Sequence, residues 1–140
     1  MPFKKILLSL NCRADEKSVV DEATRLSSFF EATLSVVHIN DPAAGKAHML
    51  MDTLPRIEEE DIVDLFHKFG YGQETEKIKI VLIDGEAYAK EIARATKDFD
   101  LLIMGHHPKS RILAALKDST DERVADRIHC PIMLVPLDKA

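Results

Sequence analysis

The sequence predicts an α/β fold: a three-layer, doubly wound sandwich built around a five-stranded parallel sheet. Two observations carry that expectation. Short apolar runs, each closed by turn-forming residues, alternate along the chain with stretches whose apolar residues recur at helical spacing. The resulting order is β-α-β-α-β-α-β-α-β, and parallel strands joined through helices place those helices on both faces of the sheet. The length of 140 residues suits a single domain spanning 1–140.

The first strand is Ile6-Leu7-Leu8-Ser9-Leu10, ended by Asn11. Val19, Val20, Ala23, Leu26 and Phe30 then mark a helix over 15–30. The β-branched run from Thr33 to Ile39 is the second strand, closed by Asn40-Asp41-Pro42. A helix at about 54–69 carries Ile57, Ile62, Leu65, Phe66 and Phe69 on one side. Its early acidic residues, 58–61, sit where the helix dipole favours negative charge. The third strand runs from Ile78 to Ile83 and stops at Asp84-Gly85. Ala87, Ala89, Ile92, Ala93 and Ala95 mark a helix reaching about Lys97. Leu101-Leu102-Ile103-Met104 is the fourth strand, ended by Gly105. A loop leads to a helix over about 120–129, and Pro131-Ile132-Met133-Leu134-Val135 is the fifth strand.

Composition excludes several classes. Nineteen basic against 24 acidic residues give a net charge of −5, so the basic footprint of a nucleic-acid binder is missing. No apolar run approaches the roughly 20 residues of a membrane span, and the first apolar run is too short for a signal peptide. The expected location is the cytoplasm. Cys12 and Cys130 fall at opposite ends of a parallel sheet, where a bridge between them is geometrically disfavoured.

The segment DLLIMGHHPKSRILAALKDSTDERVADRIHCPIMLVP, from Asp100 to Pro136, resembles the C-terminal motif of the universal stress protein family. That motif is a strand, then G-x2-G-x9-G-[ST], a helix, and a Cys-Pro-hydrophobic strand. The resemblance extends over nearly the whole chain, through the lysine-led first strand, VVHIND, and DGEAYAKEIARATKDFDLL. The Gly-His-His after the fourth strand resembles the branch typified by universal stress protein A. The resemblance implies strand order 3-2-1-4-5 and a winding switch between the first and fourth strands. It also implies a homodimer paired through strand 131–136 and, in nucleotide-binding members, ATP at the switch.

Carried over residue by residue, the motif's first glycine is Gly105, its second falls on Pro108 and its third on Asp118, followed by Ser119. The aspartate that ends strand one in the family falls on Asn11, and Ile39 takes the place of an adenine-wall residue. The candidate pocket is therefore Asn11, Ile39, Gly105, His107, Ser119 and Thr120. Glycines bring backbone N–H groups close to phosphate, whereas Pro108 removes one donor. Asp118 brings a carboxylate to the loop. One like-charge pair at about 5 Å and effective dielectric near 20 costs on the order of 3 kcal/mol. ATP is therefore expected to bind weakly or not at all, while AMP, with less charge, is opposed less.

Ser119-Thr120-Asp121-Glu122 also has the form of a capping box, which would use the Ser119 hydroxyl structurally. His106 and His107 are adjacent, a poor spacing for joint metal ligation, and no metal ligand is assigned. No G-x-S-x-G elbow is present and Cys12 reads as a small buried thiol, so no catalytic residue is assigned. The expectation is a dimeric stress-response or regulatory domain, not an enzyme, with an unidentified regulatory protein as partner and no cofactor. A nucleotide-binding switch or slow ATPase at the Gly105 loop, and a small-molecule or metal sensor at His106-His107, remain alternatives.

Overall fold

The computed structural model describes residues 3–44, 55–106 and 128–139. Its elements are β1 (Lys5–Ser9), α1 (Lys17–Phe29), β2 (Thr33–Asn40), α2 (Glu59–Lys68), β3 (Lys79–Asp84), α3 (Tyr88–Ala95), β4 (Leu101–His106) and β5 (Ile132–Pro136). Short 3-10 turns at Ala14–Glu16 and Thr96–Asp98 extend α1 and α3, and a third at Gly72–Glu76 leads into β3. The strands pair in parallel in the order β3-β2-β1-β4-β5, the order that the family resemblance implies. The helix expected over 120–129 lies outside the described residues except for Ile128 and His129, which are not helical.

The central strands are apolar without alternation because both of their faces are covered. Ile6 and Leu8 of β1, with Val36 and Ile103, join a core formed with Val19, Val20, Ile62 and Phe66 of α1 and α2. Leu7, Val37, Leu102 and Met104 face the other way and pack with Ile92 and Tyr88 of α3. Helices α1 and α2 thus cover one face and α3 the other. The winding reverses between β1 and β4, which are neighbours in the sheet at Ile6↔Leu101 through Ser9↔Met104.

Two carboxyl and amide side chains fix the ends of these strands. The Asp100 carboxylate accepts the N–H groups of Lys4 and Lys5 at 2.8 and 2.9 Å, tying the start of β1 to the start of β4. Those two bonds hold its pKa below the ordinary carboxylate value. At the other end of the sheet, buried Asn40 extends β2 by one residue into the expected turn. Its Nδ2 donates to the Ile57 carbonyl at 2.9 Å and its Oδ1 accepts the Ile57 N–H at 3.0 Å. The side chain so clamps the segment entering α2. Asn40→Ala leaves both Ile57 groups without these partners, and a loss of about 2 kcal/mol in denaturant unfolding is expected. An unchanged midpoint would show that the entry to α2 is held by something else.

Helix α2 closes with a complete Schellman motif. Tyr71 N–H reaches the Phe66 carbonyl at 2.8 Å and Gly70 N–H the His67 carbonyl at 3.1 Å. Gly70 sits at φ +91°, a conformation its missing Cβ makes cheap.

Candidate functional site

Open doubly wound sheets bind ligands beyond the carboxyl ends of their strands, at the winding switch. Here that place lies between the β1–α1 turn and the end of β4. The chain leaves β1 through Leu10, Asn11, Cys12 and Arg13, with Cys12 at φ +65°. The turn is folded around the carboxylate of Glu16, which is only 2% exposed. Its Oε2 accepts the Asn11 N–H at 2.9 Å and its Oε1 the Arg13 N–H at 2.7 Å. Burial raises the Glu16 pKa, and the hydrogen bonds from the turn's amides oppose that rise. The donors that such a turn could offer an anionic ligand already have an anion of the chain's own.

Cys12 lies beside His38, but the ring nitrogen that faces it is not free to act as a base. Its Sγ is 3.9 Å from His38 Nδ1, and the same nitrogen is 2.8 Å from the Leu10 carbonyl. A carbonyl only accepts, so Nδ1 carries the proton and is not available to take one from the thiol. Burial first, then the charges of Glu16 and Asp61, push the Cys12 thiol up to about 12. Nucleophilic chemistry at Cys12 has no support in this arrangement.

On the α3 side, Ile39 is 9% exposed and belongs to the cluster of Leu7 and Met104. Ser9 Oγ and Tyr88 Oη are 3.1 Å apart beneath the same strand ends. Ile39 is thus mainly a core residue. Farther out, the Arg56 guanidinium is 3.0 Å from Asp84 and 3.2 Å from Glu58, a bridge from the segment entering α2 to the end of β3. Arg56 and Asp84 are well exposed, so this bridge adds little to stability.

The end of β4 is shaped by the C-terminal residues. A Cβ on Gly105 would fall 2.6 Å from Leu137 Cδ2 and 3.3 Å from Val19 Cγ2. Glycine at 105 therefore has a packing reason here. Beyond Leu137, Asp138 N–H donates to the Asp15 carbonyl at 2.9 Å. Its Oδ1 accepts the Ser18 N–H at 3.2 Å, and Ser18 Oγ donates to the Pro136 carbonyl at 2.7 Å.

Of the residues that the sequence singles out, Asn11 lies two residues past the end of β1, Gly105 is near the end of the adjacent β4, and Ile39 sits on β2 on the other side of β1. His107, Ser119 and Thr120 lie outside the described residues, as do Pro108 and Asp118. Glu16, Leu137 and Asp138 shape the crevice and were not among the expected site residues. Among the described residues, no group of three His, Cys, Asp or Glu side chains could hold a metal ion. Among them, too, no helix is long and apolar enough to cross a membrane.

The sequence profile of the Universal stress protein family matches residues 2–136. Universal stress protein A of Yersinia pestis is 24% identical over 149 aligned positions, covering 98% of this chain and 94% of that protein. A universal stress protein solved in complex with cAMP aligns over 97% of this chain and 98% of its own, with a TM-score of 0.58 and 17% identity. The universal stress protein from Archaeoglobus fulgidus in complex with dAMP aligns over 96% and 98%, with a TM-score of 0.54 and 13% identity.

Proposed function

The chain belongs to the universal stress protein family, and from that premise we propose that it acts as a cytoplasmic, dimeric stress-response domain. On this reading it works by presenting surfaces to a regulatory protein and does not turn over nucleotide. The observation that carries the reading is the occupancy of the switch by the chain's own groups. Glu16 takes the amides of the β1–α1 turn, and Leu137 fills the open side of Gly105. A triphosphate entering there would meet buried carboxylate charge in place of free donors.

Dimerisation is supported by β5. It is an edge strand, Leu134 on it is 37% exposed, and the residues after Pro136 turn inward towards α1 rather than outward along the edge. Two such edges can pair antiparallel about a two-fold axis.

Calorimetric titration with ATP and magnesium is expected to give a dissociation constant above about 100 μM. Binding in the low micromolar range, or ATP retained as added mass in native mass spectra of the purified protein, would refute this part of the reading. A second reading, a nucleotide-responsive switch, is favoured by the cAMP and dAMP held by two similar structures. Both ligands are monophosphates and bring less negative charge into the crevice than ATP does.

A further inference from the structure

We propose that β3, the edge strand opposite β5, is a second self-pairing surface, which joins antiparallel to β3 of another copy about a two-fold axis at Val81 or Leu82. It lies on the other side of the sheet from the β5 pairing and does not depend on it. The ladder shows which groups are free. Gly85 N–H donates to the Asn40 carbonyl at 3.0 Å, and Asn40 lies opposite Asp84. In a parallel ladder Lys79, Val81 and Ile83 then turn their backbone groups inward to β2, while Ile80, Leu82 and Asp84 turn theirs outward. The pairing from Ser35↔Lys79 to Asn40↔Asp84 runs without a bulge, and the strand contains no proline. Its outward N–H and C=O groups form a regular open template of the kind that another strand completes.

The side chains fit the same occupant. Val81 lies opposite Val37 and so shares the α3 face of the sheet, yet it is 40% exposed. Ile80 and Leu82 lie on the other face and are half-buried. Charge then selects the partner and its direction. Exposed Lys77 and Lys79 precede the apolar stretch, and exposed Asp84 and Glu86 follow it. Among the described residues Lys77, Lys79 and Glu86 make no ion pair, whereas Asp84 is bridged to Arg56. Read in reverse against itself, the stretch brings the lysines of one copy to the acidic end of the other, at both ends of the joint. A copy aligned in parallel would set lysine against lysine and acid against acid. The edge is thus its own electrostatic complement. In either register that two-fold symmetry allows, the two Val81 side chains share a face as direct or diagonal neighbours.

The test uses the full-length protein carrying Leu134→Pro, which weakens the β5 pairing and leaves β3 as it is. Sedimentation equilibrium is expected to show this protein still forming a dimer at high micromolar concentration. Adding Val81→Lys or Val81→Glu sets like charges beside each other across the axis and is expected to weaken that dimer at least about tenfold. An equimolar mixture of the two double variants associates about tenfold more tightly than either alone, and salt at about 1 M cancels the gain. With Leu134 intact, the wild type grows beyond a dimer and Val81→Lys stops at one. Hydrogen exchange gives a measure without any change at residue 81: the Ile80 and Leu82 amides of the Leu134→Pro protein slow as its concentration rises. A Leu134→Pro protein that stays monomeric at high micromolar concentration would overturn the β3 pairing. So would a dimer that Val81→Lys leaves intact, or amides at 80 and 82 that exchange alike at every concentration. If Leu134→Pro instead associates as tightly as the wild type, the β5 pairing fails and the β3 pairing stands, so the two failures are distinguishable.

Discussion

Glu16→Ala is expected to destabilise the fold by about 2–4 kcal/mol, a large share of a small domain's stability. The carboxylate is buried and organises the whole exit from β1, including a residue at positive φ. Alanine leaves the amides of Asn11 and Arg13 without their acceptor and opens a gap beneath the turn. Glu16→Gln keeps one acceptor oxygen and is expected to recover roughly half of the loss. Denaturant unfolding of the three proteins, with m-values compared, measures this directly. A loss below about 0.5 kcal/mol for alanine would mean that water replaces the carboxylate, and that the turn amides are accessible to other anions as well.

Leu134→Pro is expected to weaken the proposed dimer by roughly 100-fold while leaving the monomer folded. The ladder geometry selects this residue. Leu102 lies opposite Ile132, and its N–H donates to the Pro131 carbonyl at 2.9 Å. In a parallel ladder the next inward donor is then Met133, while the Leu134 N–H points away from β4 to the free edge. Proline there removes an outward donor and leaves the β4–β5 bonds in place. Two-fold symmetry applies the change twice, at about 1–1.5 kcal/mol each. Sedimentation equilibrium over a concentration series reads the shift. A wild-type protein that stays monomeric at high micromolar concentration would sink the dimer itself.

The fold was legible because its information is local. β1 and β4 carry continuous apolar runs, Ile6–Leu8 and Leu101–Met104, and such runs suit a sheet covered on both faces. Each observed strand boundary falls within a residue or two of the turn-formers that announce it, as Asp84-Gly85 does for β3. The crevice was legible only in part. Asn11 and Gly105 stand at motif positions, and motif positions can be counted. Glu16 cannot be found that way, because an acidic residue entering a helix looks like an ordinary partner of the helix dipole. That it turns inward depends on the φ +65° at Cys12, which no residue preference signals. Leu137 and Asp138 meet α1 across more than 100 positions of sequence, as the Ser18 contacts show. Their role is a property of the tertiary fold alone. Asn40 lay between these cases: its turn-forming character is visible, its clamp on Ile57 is not.

The environment of the two cysteines sets how the protein meets oxidants. Peroxide attacks the thiolate, and with the Cys12 pKa at about 12 only about one sulfur in 10⁵ is ionised at neutral pH. Cys130 is likewise raised, chiefly by burial, and sits at the far end of the sheet from Cys12. Neither sulfur has the low pKa and nearby resolving thiol that mark a redox sensor. Both are free, and too far apart to be joined without rebuilding the sheet. Both thiols are thereby slowed as targets of peroxide, and neither is placed to report an oxidising episode to other molecules.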